Sequence, residues 1–90
     1  EPAADLAVAV ALASSLLGKP VASEAVVFGE VGLSGEVRAV SAARQRIREA
    51  AKFGLSRCIM PESCKRDAVG AAITPEPVSR IVDAVKIALE

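Results

Sequence analysis

The segment VVFGEVGLSGEVRAV, residues 26–40, decides how this chain folds. Its apolar residues form two short runs around a glycine-containing turn, which is the pattern of a β-hairpin. We predict a strand over Ala25–Gly29, a turn at Leu33-Ser34-Gly35 and a returning strand over Glu36–Val40. Glycines inside strands mark bulges or close approaches between backbones. We therefore expect Gly29 to be a backbone feature with no chemical role.

A helix is predicted before this hairpin. Pro2 suits a first helical turn, and the run LAVAVALASSLL, residues 6–17, is apolar on nearly all sides. Gly18 and Pro20 then end the helix, which we place at Glu1–Leu17. Such a helix should be enclosed on several sides, yet nothing precedes it in the chain to cover it. We therefore expect the natural domain to start earlier and this chain to be a C-terminal piece of it.

Helices and strands alternate after the hairpin. Ser41 suits an N-cap, Gly54 suits a helix stop, and Pro75 and Pro77 bracket the start of a closing helix. The predicted elements are a helix at Ser41–Phe53, a strand at Arg57–Met60, a helical turn at Glu62–Ala68, an edge strand at Ala71–Thr74 and a helix at Val78–Leu89. Their predicted apolar positions are Ala43, Ile47, Ala50 and Ala51 in one helix and Ile81, Val82, Val85 and Ile87 in the other. This order predicts an α/β layer structure with a mixed sheet.

Composition excludes several kinds of function. The chain has 90 residues, is 52% hydrophobic and 2% aromatic, and balances 11 basic against 11 acidic residues. We expect one small domain without the overall basic signature of a nucleic-acid-binding protein. With no histidine and only two cysteines, a zinc site and a disulfide scaffold are not expected, and reduced cytoplasmic thiols fit best. Cys58 is interpreted as a small apolar strand residue and Cys64 as partly exposed. The apolar run Ala7–Leu17 is too short to span a bilayer.

The hairpin and the elements after it resemble the proteolytic domain of Lon proteases. In that family a hairpin of the form GE-hydrophobic-x-L-x-G-x-hydrophobic, here GEVGLSGEV at residues 29–37, precedes the helix with the catalytic lysine. The tract PESCKRDA, residues 61–68, is similar to the Lon segment after the next strand. The resemblance covers nearly the whole chain. It implies an α/β (α+β two-layer) Lon-protease-like domain of the ribosomal protein S5 domain 2-like type, here without its N-terminal strands.

A more specific likeness lies at the first helix. The stretch EPAADLAVAVALASSL, residues 1–16, together with the hairpin is similar to the C-terminal Lon-like domain of the bacterial RadA (Sms) family of DNA repair and recombination ATPases. The resemblance implies a cytoplasmic domain that serves assembly of a homo-oligomeric ring, a hexamer, and binding of duplex DNA during branch migration. It also implies a recombinase as a further partner and no membrane association.

Lon proteases use a serine–lysine dyad, in which a hydroxyl at the start of a helix attacks and a lysine accepts its proton. Alignment backward from Pro20 places Ala3 at the serine, and alignment from Gly29 or Pro61 places Arg44 at the lysine. Alanine has no nucleophile, and arginine does not deprotonate in proteins. We therefore expect a pseudoprotease domain without catalytic residues. The serines are interpreted as helix, turn and N-cap residues: Ser14, Ser15, Ser34 and Ser41.

Basic residues supply the remaining candidate site. Arg44, Arg48 and Lys52 fall at i, i+4 and i+8 and share one flank of a helix. Cations on a rigid helix contact DNA phosphates without reading sequence. The candidate DNA-binding residues are Arg44, Arg46, Arg48, Lys52, Lys65 and Arg66. The alternative for the same residues is a solvated face or a contact between subunits.

Two other functions stay open. One is a fragment of a Lon-type ATP-dependent serine peptidase, against which Ala3 argues, and the other is a pseudoenzyme that only oligomerises. No GxxxxGK[ST] loop occurs in the chain, so no nucleotide cofactor is expected here. The resemblance implies ATP with Mg and a zinc finger only in upstream parts of a parent protein, itself an ATP-dependent DNA motor.

Overall fold

The computed structural model describes all residues from Glu1 to Glu90. The helices are α1 (Asp5–Leu17), α2 (Ala43–Lys52) and α3 (Ile81–Ala88). The strands are β1 (Ala25–Val27), β2 (Glu30–Val31), β3 (Val37–Arg38), β4 (Arg57–Pro61) and β5 (Thr74–Val78). Short 3-10 segments lie at Pro2–Ala4 and Glu62–Ala68. The predicted order of elements holds except at the hairpin, where the prediction of Ala25–Gly29 as its first strand was wrong: β1 pairs with β4, and the hairpin pairs β2 with β3. None of the helices has the length and apolar content needed to cross a membrane.

The strands form two separate sheets, so the prediction of one mixed sheet was wrong. A parallel sheet has the strand order β1-β4-β5, and β2 and β3 form an antiparallel hairpin of their own. The hairpin turn is where the sequence places it, with the Gly35 N–H donating to the Gly32 carbonyl at 3.1 Å. The Ile81 N–H donates to the Gly35 carbonyl at 2.9 Å, and the Arg80 guanidinium donates to the Ser34 carbonyl at 2.6 Å. The hairpin tip is therefore fixed on the segment that leads into α3.

Strand β4 is the centre of the core. Its Cys58 and Met60 side chains join a cluster with α2 and the second 3-10 segment, whereas Ile59 joins a cluster with α1 and α3. Successive strand residues point to opposite faces, so the parallel sheet is covered by helices on both sides. The α/β class is confirmed, but the layers number three where two were expected. Both clusters are built mainly from small side chains, as the composition indicates.

Strand β5 lies later in the chain than predicted. It runs from Thr74 to Val78 and contains both prolines that were expected to bracket a helix start. The Thr74 N–H donates to the Ser56 carbonyl at 2.9 Å, and β5 pairs with β4 on one side only. Pro75 and Pro77 alternate with the residues that donate, so their missing N–H groups lie at the open edge, where a strand tolerates proline.

Helix α2 begins two residues later than predicted. Ala42 precedes it in the left-handed conformation, with φ 57°, and no side chain caps the helix, so the Ser41 N-cap was wrong. The buried face is confirmed at Ala43, Ile47 and Ala50. This face fixes the rotation of α2 about its axis, and therefore decides where each basic residue of the helix points.

Several exposures differ from the predictions. Helix α1 ends at Gly18 as predicted, with φ 65°, but it is covered on one side only, through Leu6 and Val10. Val8, Leu12 and Leu16 lie on its exposed side. Helix α3 packs through Ala84 and Ala88, and the predicted apolar positions Ile81 and Val85 pack partly buried against the same cluster. The other two predicted positions, Val82 and Ile87, are exposed. Cys64 is buried, not partly exposed.

Candidate functional site

The start of α1 is fastened to the connection between β1 and β2. The Gly29 N–H donates to the Ala3 carbonyl at 2.9 Å, and the Leu6 N–H donates to the Gly29 carbonyl at 2.9 Å. A Cβ atom at Gly29 would lie 2.9 Å from Val37 Cγ1 and 3.3 Å from Pro61 Cγ. The sequence expectation of a close backbone approach at Gly29 is thus confirmed, and this approach holds Ala3 in place.

Asp5 makes a second tie between the same elements. One of its carboxylate oxygens accepts a hydrogen bond from the Val31 N–H at 3.3 Å. A carboxylate in the first turn also interacts favourably with the positive end of the helix dipole. Asp5 therefore joins α1 to the hairpin.

A cleft of about 290 Å³ opens beside Ala3. The Arg46 guanidinium lies across it, 3.5 Å from both carboxylate oxygens of Glu1, and the Arg46 Nε donates to the Ser41 carbonyl at 3.2 Å. Glu30 and Val40 complete the polar and apolar sides of the cleft. The polar side chains around Ala3 are therefore those of Glu1, Glu30, Arg46 and Ser41, and Ala3 itself offers only a methyl group.

Arg46, rather than Arg44, is the basic residue next to Ala3. Ala3 lines the cleft described above and a second, smaller pocket, and Arg46 lines both of them. Arg44 instead lines a separate surface pocket together with Arg48 and Lys52. Two residues along an α-helix correspond to a rotation of about 200° about its axis, so the side chains of Arg44 and Arg46 point in nearly opposite directions. Since the buried face of α2 sets this rotation, the geometry does not support Arg44 as the residue facing Ala3.

The basic flank of α2, defined as Arg44, Arg48 and Lys52, is exposed along its whole length. None of its side chains takes part in the ion pairs of the structure, which join Arg38 to Glu36, Arg46 to Glu1 and Arg57 to Glu76. The only side-chain hydrogen bond beside it joins Gln45 Nε2 to Glu49 Oε1 at 3.3 Å. The charges of the flank are therefore available to a partner.

The other predicted basic residues lie apart from this flank. Arg46 is turned toward Glu1, and Lys65 and Arg66 are exposed on the 3-10 segment that packs against α2. No three His, Cys, Asp or Glu side chains converge in a way that would hold a metal ion. The structure thus groups three of the six candidate residues on one face of one helix.

Several known proteins are similar to this chain in sequence. Residues 2–64 match the family described as subunit ChlI of Mg-chelatase. The chain is 47% identical to DNA repair protein RadA of Aquifex aeolicus over 97% of its length, and 40% identical to that of Haemophilus influenzae over 97%. It is 52% identical to RadA of Escherichia coli over 68%. The chain belongs to the ChlI/Lon-like family, as a RadA-type domain. It spans 19%, 19% and 13% of these three relatives.

Three features of this RadA-type domain were not foreseen from its sequence. The Glu1–Arg46 pair and the Asp5–Val31 hydrogen bond join residues far apart in the chain, and no local pattern marks either of them. Burial raises the pKa of the Cys58 thiol to about 12, so this cysteine is a poor nucleophile in the RadA-type domain.

Proposed function

We propose that this RadA-type domain is non-catalytic and binds duplex DNA through the basic flank of α2. In the full-length protein, the domain would also support assembly of a homo-oligomeric ring, while a separate ATPase domain of that protein drives branch migration in homologous recombination. The observation that carries the DNA-binding part is that Arg44, Arg48 and Lys52 lie exposed and unpaired on one helix face.

The geometry of the flank suits a phosphate backbone. Eight residues of helix separate Arg44 from Lys52, which corresponds to about 12 Å along the axis. A DNA strand advances about 3.4 Å per nucleotide, so the flank is long enough to follow several phosphates of one strand. Such contacts fix the position of a protein on DNA without selecting a sequence.

The absence of catalysis is supported by the residues beside the cleft. Acyl transfer by a serine–lysine pair needs a hydroxyl and a base that accepts its proton. Ala3 offers a methyl group, and Arg46 keeps its proton because its guanidinium does not deprotonate in proteins. We therefore propose that Arg46, not Arg44, stands in the place of the protease lysine, and that it now pairs with Glu1.

The experiment for DNA binding compares two triple variants of the full-length protein. R44A/R48A/K52A removes the flank, and R38A/K19A/K86A removes three exposed cations from other elements. We expect the first to weaken binding to a blunt duplex by about two orders of magnitude or more at 0.1 M salt, because phosphate contacts dominate such affinities. The second should change it less than about twofold. Equal affinity of the first variant and the unmodified protein would refute the proposal.

Ring assembly is tested separately. Mass photometry of the full-length protein with nucleotide and DNA should give a hexamer, as the RadA-type sequence of α1 and the hairpin implies. A strictly monomeric protein under these conditions would contradict the assembly proposal and leave the DNA-binding proposal to be judged alone. A recombinase is a further proposed partner, and co-purification with the recombinase of the same organism would test it.

A further inference from the structure

A pocket of about 260 Å³ lies where the end of α1 meets the C-terminal end of α3. Its lining consists of three aliphatic side chains and two lysines, with no acidic residue: Leu17, Lys19, Val85, Lys86 and Leu89. Pockets that enclose a whole small molecule have volumes of about 300–1,000 Å³. This smaller pocket therefore has the size to take one side chain of a larger partner.

Backbone hydrogen bonds hold the walls of this pocket in place. The Ala22 N–H donates to the Ala88 carbonyl at 2.7 Å, and the Glu90 N–H donates to the Pro20 carbonyl at 3.0 Å. These two bonds fasten the segment that follows α1 to the end of α3. Leu89 also packs on the core cluster that α1 and α3 share. The pocket is therefore formed before a partner arrives, and a preformed site loses little conformational entropy on binding.

The two lysines of the pocket have no acidic partner within the chain. Lys19 and Lys86 are both exposed, and neither ammonium group takes part in the ion pairs of the structure. The acidic residues nearest to Lys86 in the chain, Asp83 and Glu90, form no ion pair either. An apolar pocket thus carries two uncompensated positive charges beside its aliphatic walls. Complementary charge on a partner would speed its association with this surface and exclude basic competitors.

We infer that this pocket binds an acidic peptide segment of a partner protein. One aliphatic side chain of that segment enters between Leu17 and Leu89, and carboxylates next to it in the peptide pair with Lys19 and Lys86. Burial of the aliphatic side chain supplies affinity, and the two ion pairs select acidic sequences. The phosphates of duplex DNA could contact the lysines but would leave the aliphatic walls unused. This site is separate from the basic flank of α2 and adds a protein partner to the DNA-binding function.

The test measures binding of a fluorescein-labelled peptide, Ac-GEELLDEG-amide, to the full-length protein by fluorescence anisotropy. Two matched peptides replace either its acids by the corresponding amides or its leucines by serine. We expect K19Q/K86Q to bind the acidic peptide about fivefold more weakly, because two ion pairs are lost. L17S should also bind it about fivefold more weakly, because one apolar wall is lost. R38Q/K65Q removes the same charge from other elements and should change the affinity less than about twofold.

Four results would overturn the inference. The first is no saturable binding of the acidic peptide, and the second is equal affinity for the acidic peptide and either matched peptide. Third, if K19Q/K86Q weakens binding of a blunt duplex by the same factor as binding of the peptide, the lysines serve a nucleic acid. Fourth, if K19Q/K86Q instead abolishes ring assembly in mass photometry, a second copy of the chain occupies the pocket. Circular dichroism confirms that each variant is folded before its affinity is compared.

Discussion

The guanidinium of Arg46 lies 3.5 Å from both carboxylate oxygens of Glu1, next to the buried methyl group of Ala3. An ion pair thus stands in the cleft beside Ala3, the residue that the sequence alignment predicts at the position of the Lon serine. Both side chains are partly exposed, so the pair contributes little to the stability of the fold. The pair instead affects the reactivity of the cleft, because an arginine guanidinium cannot accept the proton of a hydroxyl group.

Restoring the hydroxyl alone should not restore reactivity. Ala3→Ser is expected to stay unlabelled by a fluorophosphonate probe at neutral pH, because Arg46 does not take the serine proton. Intact-mass spectrometry detects the adduct, and A3S/S41A serves as the control for labelling at the neighbouring serine of the cleft. An adduct mapped to residue 3 of the single variant would contradict the non-catalytic account.

Replacing Gly29 by alanine should destabilise the fold strongly. Gly29→Ala places a Cβ 2.9 Å from Val37 Cγ1 at a φ of 156°, and the two effects together should lower the free energy of unfolding by about 3 kcal/mol. Gly54→Ala is the matched control, because it has a φ of 82° but open space around the new methyl group. It should lose only about 1 kcal/mol. Urea unfolding followed by circular dichroism gives both values, and equal losses would show that crowding at Gly29 is unimportant.

The Arg57–Glu76 pair should make stability depend on pH. Arg57 Nε and Nη2 donate to the two Glu76 oxygens at 2.7 and 2.8 Å, and Nη2 also donates to the Ile87 carbonyl at 2.9 Å. These hydrogen bonds lower the pKa of Glu76 from its ordinary 4.5. The carboxylate therefore stabilises the fold above that pH, and the contribution is lost as the pH falls through the lowered pKa.

Glu76→Gln is accordingly expected to cost about 1 kcal/mol at pH 7 and progressively less toward pH 3. Urea unfolding at a series of pH values measures the difference. Glu62→Gln is a suitable control, because Glu62 is exposed and takes part in none of the ion pairs. A cost for E76Q that is constant between pH 7 and pH 3 would mean that the charge of Glu76 is not what stabilises β4 against β5.

The two cysteines should be inert in the folded chain. Burial raises the pKa of Cys58 to about 12, and Cys64 is 2% exposed. Alkylation needs an accessible thiolate. A short pulse of iodoacetamide at pH 8 should therefore modify neither thiol in the native chain and both thiols in 8 M urea, as peptide mass spectrometry can check. Rapid native labelling of Cys58 would show that β4 opens readily.

Much of the fold could be predicted because its signals are local. The glycines around Leu33-Ser34-Gly35 predict the hairpin turn, and Gly18 predicts the end of α1, since left-handed backbone favours glycine wherever it occurs. Pro75 and Pro77 misled the prediction because proline suits both a helix start and an edge strand. Only the pairing of β5 with β4 decides between them.

The candidate site was predicted only in part, because only some of its features depend on local sequence. The spacing of Arg44, Arg48 and Lys52 places them on one flank without any knowledge of the fold. Choosing which arginine faces Ala3 needs the absolute rotation of α2. That rotation is set by Ile47 against residues of other elements, so the sequence places Arg44 where the fold brings Arg46 next to Ala3.

The salt dependence of DNA binding tests the central claim most directly. The logarithm of the association constant for a blunt duplex is plotted against the logarithm of salt concentration for the full-length protein and for R44A/R48A/K52A. Each lost phosphate contact lowers the slope by about 0.9, so three contacts predict a slope shallower by about 2.7. Parallel lines for the two proteins would contradict the claim that the basic flank of α2 contacts DNA phosphates.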